Sequence, residues 1–293
     1  MVRPARFGFN LQTASSNSFQ NSDNSSQVHE LAMHEFDGLK LLLEQSGVHV
    51  VVLEHPDVHV PDAIFPNNWF STHADGTLVL YPMMAPNRRL ERREDFVEVI
   101  RQYSKSDKFI DIRERENAGQ FLEGTGSIVF DHPARIAYAV ESPRTDAQLL
   151  QEVCSQLGYQ PFVFHAYDAQ GDPVYHTNVV MCMTSSAAVV CMEAVAEGDR
   201  NQLLKCLADS GRRLIDISVQ QMNSFAGNML SLENHQGKPL LVLSSSALSA
   251  FTPEQKEILF ADGMGVVADI PVIERVGGGG VRCMLAELFV NNK

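Results

Sequence analysis

A pattern that recurs about every fifty residues constrains this chain more than any other feature. Five times a polar turn leads into a short apolar stretch: FPNNWF at Phe65, LEGTGSIVF at Leu122, YHTNVVM at Tyr175, FAGNMLSL at Phe225 and GGGGVRCMLAELFV at Gly277. The first four are followed by a second strand-like run (TLVLYPM, IAYAVE, AAVVCME and PLLVLS) rich in the β-branched and large apolar residues that buried strands use. Helical patterns come next, over Leu90–Tyr103, Thr145–Leu157, Asp199–Ser210 and Thr252–Phe260, the last with Thr and Pro placed as N-cap and first helical residue. The runs KFIDI, QPFVF, RLIDI and VVADI close the units. The fifth unit lacks its partners at the end of the sequence; a helix over Val28–Gln45 and a strand VHVVVL near the front supply them. Units this small cannot bury their own faces, so the expected fold is α/β: a single domain, residues 1–293, closed as a five-bladed propeller of ββαβ-type repeats. An ordinary α/β sandwich with coincidental spacing is the alternative.

Charge and cysteine usage narrow the functional classes. Basic residues number 23 and acidic ones 36, a net charge of −13, which repels nucleic acid and anionic membranes while leaving a small cationic or zwitterionic partner open. The five cysteines, Cys154, Cys182, Cys191, Cys206 and Cys283, lack the paired short spacings of zinc sites and read as reduced thiols of a cytoplasmic protein. No run approaches the roughly eighteen apolar residues of a membrane span, and the N-terminus has no apolar signal core. The Ser/Asn-rich stretch from Thr13 to Gln27 has too little apolar surface to pack alone and reads as a loop covering another part of the molecule.

In a ring of such units the polar turns face the axis. That brings Asn67 and Asn68, Glu123, His176 and Asn178, Asn228 and Cys283 toward one another. A thiol, an imidazole and a carboxylate are what nucleophilic catalysis by cysteine requires: a sulfur to attack, a base to move the proton, an acid to fix the base. Arg282, next to Cys283, and backbone amides of Gly277–Gly280 offer the positive or hydrogen-bonding help that a thiolate needs. The four glycines lack the spacing and following helix of a nucleotide-binding fingerprint. The other cysteines lie in helix or strand patterns and read as buried small hydrophobes, and the histidines outside the turn at His176 read as structural or solvated.

These motifs, in this order, resemble the amidinotransferase (pentein) superfamily of guanidine- and ureido-modifying enzymes. The resemblance implies that Cys283 is the nucleophile, His176 the general acid/base and Glu123 its partner, with neither metal nor organic cofactor. PDAIFPNNW resembles a dimethylarginine-hydrolase segment whose acidic pair contacts a guanidinium, but here the pair is Asn67-Asn68, and Asn178 stands where deiminases carry an aspartate. Asparagine offers a urea both donor and acceptor, where a carboxylate offers acceptors only. The closest resemblance is to citrulline-utilisation hydrolases, implying L-citrulline as substrate and ornithine, carbon dioxide and ammonia as products. Succinylarginine dihydrolases also carry asparagine there and take a guanidinium, so hydrolysis, deimination or amidino transfer on arginine, a methylated arginine or agmatine stays as the alternative. A ring-shaped binding protein resembling ribosome anti-association factors is the non-enzymatic one. ESPRTD resembles a turn whose arginine grips the substrate carboxylate, pointing to Arg144, and APNRRLERR another, pointing to Arg88 or Arg89, of which Arg89 is taken; Asp62 is assigned the α-ammonium, with Asn228 and Arg282 completing the set. Homo-oligomerisation is left open.

Overall fold

The computed structural model describes residues 1–23, 25–261 and 263–290. Each of the first four repeats forms a three-stranded sheet by the same route: two strands pair antiparallel across a short turn, and a helix then returns the chain so that a third pairs parallel with the second. The first contains β3 (Phe70–Thr72), β4 (Thr77–Leu80) and β5 (Lys108–Asp111). The second contains β6 (Val129–Asp131), β7 (Ile136–Val140) and β8 (Gln160–Phe164). The third has β9 (Met181–Met183), β10 (Ala187–Val190) and β11 (Arg213–Asp216), and the fourth β12 (Leu230–Glu233), β13 (Pro239–Ser244) and β14 (Met264–Ala268). The central strands carry the core: Leu78, Val79, Leu80, Tyr138, Val189, Val242 and Leu243 are fully buried.

The crossover helices are Glu94–Ser104, Ala147–Leu157, Glu197–Asp209 and Pro253–Leu259. Asp146 caps the second by accepting from the Gln148 and Leu149 amides, and Thr252 forms a capping box with Gln255, as the Thr-Pro pair in the sequence suggests. The first helix starts four residues later than its apolar pattern, because Pro86–Glu91 winds into a tighter 3₁₀ turn.

A fifth sheet has two strands, β1 (Val2–Pro4) and β2 (Leu53–His55), parallel and joined through the helix Val28–Gln45. Here the expected strand VHVVVL is displaced. Val48, Val50 and Val52 pack against the core under the long helix, and the backbone enters a ladder only at Leu53, where β1 offers a partner. Residues 285–290 join no ladder; they lie against β3, where the Thr72 hydroxyl donates to the Glu287 carbonyl and accepts from the Phe289 amide. No ladder connects one sheet to the next among the described residues. Nor is any helix there long and apolar enough to cross a membrane.

The turns that precede the strands meet one another. The turn Pro66–Asn68 touches both Gly124–Ser127 and Val281–Met284, and Gly124–Ser127 touches Thr177–Val180. Asn228 ties in the fourth by donating to the Asn178 carbonyl and accepting from the Arg282 amide.

Candidate active site

Cys283 sits in the short helical turn Val281–Met284 and is 4% exposed. Two amides hold its sulfur: Asn228 Nδ2 donates to Sγ at 3.3 Å and Asn178 Nδ2 at 3.5 Å. Burial pushes the thiol above its ordinary value of 9.0, although both asparagines and Arg282 pull the other way. Alkylation of Cys283 by iodoacetamide is therefore expected to keep accelerating from about pH 7 to about pH 9.5, in proportion to the thiolate fraction. A plateau already reached near neutrality would contradict this.

His176 and Glu123 form a buried pair, with His176 Nε2 2.8 Å from Glu123 Oε2. Each occupies the residue just before a short helical turn, where the backbone is not yet helical and the side chain turns inward. Burial pulls the imidazole down to about 4, with Arg144 and Arg88 adding to the effect against the pull of Glu123, so the ring is neutral at physiological pH. Burial by itself would raise the Glu123 carboxyl. Arg144, His176 and Arg88 reverse it, and the Met84 amide also donates to Oε1, so the group stays well below the usual carboxylate range. The pair is thus a neutral imidazole on a fixed anion.

Cys283 and His176 share a cavity of about 20 Å³ with Asp62, Asn68, Arg88, Arg144, Tyr175 and the glycine run. Glu123 lies behind His176. Gly126 makes room for the arrangement: a Cβ there would fall 2.4 Å from Asn68 Nδ2 and 2.7 Å from His176 Nδ1. Gly278, at φ +64°, is in the left-handed region and turns its carbonyl to accept from the Tyr175 hydroxyl at 2.8 Å.

The Ser/Asn-rich stretch lies over this cavity, without helix or strand in residues 13–23; Asn24 falls outside the described residues. Arg144 donates to the Thr13 carbonyl at 3.1 Å and to the Ser16 hydroxyl at 2.6 Å. Asp62 Oδ2 accepts from Asn10 at 2.7 Å and from the Thr13 hydroxyl at 3.0 Å, while its Oδ1 is buried without a partner. Asn17 and Gln20 donate to the carbonyls of Gly278 and Gly277.

Of the eight expected substrate ligands, Asp62, Asn68 and Arg144 line the cavity and five do not, of which Arg89 and Arg282 turn away altogether. Arg89 points out of the site to the Met83 and Met84 carbonyls and pairs with Glu116; Arg88 is the arginine on the cavity wall. The 3₁₀ turn separates the neighbours, sending 88 and 89 to different sides. Arg282 turns away from the cavity, donating to the Leu285 carbonyl and pairing with Glu287, so its influence on the sulfur acts through charge. Asn67 stands behind Asn68, accepting from its amide at 3.1 Å, and Asn178 and Asn228 hold the sulfur. Glu91, Tyr175 and the loop residues Thr13, Ser16 and Asn17 escape the sequence reading; of these Glu91 carried a legible signal, its spacing of three from Arg88.

The sequence profile of the eukaryotic N,N-dimethylarginine dimethylhydrolase family matches residues 3–290. No curated protein sequence gives a significant match. Among solved structures, the substrate-bound N-terminal domain of a cysteine-to-serine variant of ArgZ, an arginine dihydrolase from the ornithine-ammonia cycle in cyanobacteria, superposes with a TM-score of 0.74 at 17% identity, covering 99% of this chain and 97% of that one. Full-length apo ArgZ gives 0.76 at 16% identity over 99% of this chain, which spans only 40% of ArgZ's length. A dimethylarginine dimethylaminohydrolase variant in adduct with S-methyl-L-thiocitrulline gives 0.66 at 16% identity, covering 97% of this chain and 96% of that one. With the match running through nearly the whole sequence, the chain belongs to the N,N-dimethylarginine dimethylhydrolase family, within the pentein superfamily of hydrolases acting on carbon–nitrogen bonds other than peptide bonds.

Proposed function

We propose that the chain, working as one domain with its five sheets set as the blades of a closed ring, hydrolyses the ureido group of an L-citrulline-like amino acid to ornithine, carbon dioxide and ammonia. The observation that carries this reading is that a thiol and a neutral imidazole from two repeats meet at one cavity, with a carboxylate from a third behind the imidazole, while Asn68 lines the cavity and the Asn178 and Asn228 amides donate to the sulfur. Cys283 Sγ attacks the ureido carbon while its proton passes to His176. The oxygen takes the negative charge and is met by backbone amides near the glycine run. His176 returns the proton to the departing nitrogen, and Glu123 stabilises the imidazolium in between. A carbamoyl thioester remains; His176 draws a proton from water, the water oxygen bonds to the carbon, and the sulfur leaves. The carbamate so formed releases carbon dioxide and the second nitrogen, as ammonia where ornithine left first and as ornithine where ammonia did.

Arg144 and Asp62 suit the carboxylate and α-ammonium of such a substrate. Both are engaged by residues 10–16, and a space of about 20 Å³ accommodates little more than a water molecule, so binding requires this segment to lift. The rival reading is a guanidine hydrolase acting on arginine or a derivative. It is supported by the match to a dimethylarginine dimethylhydrolase family profile and by the likeness to an arginine dihydrolase. Ornithine and ammonia release from citrulline, arginine, methylated arginines and agmatine separates the two. Citrulline is expected to give ornithine with the highest kcat/KM; turnover confined to the guanidino compounds would transfer the assignment to the rival.

A further inference from the structure

We infer that Glu91 is a positioning residue: through Arg88 it fixes the Asn68 amide with an N–H left for the substrate, and Arg88 belongs to the protein's frame and not to the substrate carboxylate. The inference rests on the ureido reading above and names how that substrate's oxygen is recognised.

The argument is one of donors and acceptors. In the 3₁₀ turn Pro86–Glu91, with three residues per turn, positions 88 and 91 stack on one side. Both side chains are buried, Arg88 3% and Glu91 1% exposed. The guanidinium has five N–H groups. Nε donates to Glu91 Oε1 at 2.8 Å and Nη2 to Oε2 at 3.0 Å, a bidentate fork; Nη2 also reaches the Phe65 carbonyl at 3.1 Å, and Nη1 donates to Asn68 Oδ1 at 2.6 Å. One Nη1 hydrogen is left over, and a bidentate carboxylate grip needs two parallel bonds.

The same contacts decide how Asn68 is presented. Its carbonyl is spent on Arg88, and one hydrogen of Nδ2 goes to Asn67 Oδ1 at 3.1 Å. The other Nδ2 hydrogen is free on the side where Gly126 lacks a side chain, close to His176 Nδ1. A donor in that position fits a urea carbonyl and opposes a guanidinium, which offers no acceptor. Without Glu91, Arg88 loses its fork and can turn, and the Asn68 amide is free to flip.

The test is steady-state kinetics of wild type and Glu91→Gln on L-citrulline and on 4-ureidobutylamine, which is citrulline without its carboxylate. The variant is expected to lose about thirtyfold in kcat with KM for citrulline within about threefold, and the loss on removing the carboxylate should equal that of wild type. A kcat kept within about threefold overturns the inference, as does a variant in which the carboxylate no longer matters, since that makes Arg88 its ligand. If Glu91→Gln fails to fold, the double replacement Arg88→Met with Glu91→Met, which leaves no unpaired buried charge, carries the same expectation. If wild type turns over neither compound, the substrate reading fails, and Glu91 is judged instead by alkylation of Cys283. The chloroacetamide-to-chloroacetamidine rate ratio should then fall about tenfold in Glu91→Gln, and an unchanged ratio overturns the inference.

Discussion

Cys283→Ala is expected to reduce ornithine formation from citrulline by at least about 10⁴-fold while leaving the protein folded and able to bind substrate. Water cannot replace the sulfur efficiently, because the attack depends on an atom already held beside the electrophile. The structural cost is small. Alanine keeps the backbone turn Val281–Met284 and removes an atom held by weak bonds from the Asn178 and Asn228 amides and the Gly280 backbone, so the loss of stability should be about 1 kcal/mol. Single-turnover assays with excess enzyme, together with a thermal melt, check both halves. A variant that retains a tenth of the wild-type rate removes the nucleophile from Cys283.

The second large effect is expected from Glu123→Gln. Glutamine has nearly the same shape, so the loss comes from charge: the imidazolium formed during turnover loses its counter-ion, and kcat should fall by about 10³–10⁴-fold. His176, held down at about 4 by burial even with Glu123 beside it, becomes still harder to protonate. Stability should suffer too, since the Arg144 guanidinium lies 3.5 Å from Glu123 Oε2 and both are buried. Leaving one member of such a pair uncompensated costs on the order of 3 kcal/mol, which lowers Tm visibly. The sign of the pH dependence follows from the same pair. Glu123 is held below its unfolded value, so its contribution is present above the usual carboxylate range and is lost progressively as pH falls from that range toward the lowered folded value; His176, lowered from 6.5 to about 4, likewise destabilises the fold as pH drops across that interval. In Glu123→Gln the first of these acid-sensitive contributions disappears. Equal activity, and equal acid sensitivity of the melt, in wild type and variant would contradict the role assigned to Glu123.

Much of this was legible in the sequence because the chain repeats itself. The helix Val28–Gln45 and the strands Gln160–Phe164 and Pro239–Ser244 have the bounds that their apolar patterns mark, since each pattern faces one core. The residues Glu123, His176 and Cys283 stood out because each lies in one of the recurring turns and together they are a carboxylate, an imidazole and a thiol. Legibility failed where the outcome depends on a distant partner. Val2–Pro4 is too short to announce itself and is a strand only because Leu53–His55 lies beside it. The choice between Arg88 and Arg89 turned on a 3₁₀ turn that no periodicity displays, and Arg282 followed Glu287 away from the cavity. The contacts of Thr13 and Ser16 with Arg144 cross more than a hundred residues and leave no local trace.

The central claim is that the thiol of Cys283 takes the ureido carbon into a covalent bond. It is tested most directly by acid-quenching wild-type enzyme during citrulline turnover and mapping the mass of the peptide that carries Cys283. The account predicts that this peptide gains a carbamoyl group, that the gain is absent in Cys283→Ala, and that it accumulates when breakdown of the thioester is slowed. Turnover with no adduct on Cys283, or an adduct located on Cys154, Cys182, Cys191 or Cys206, would contradict it.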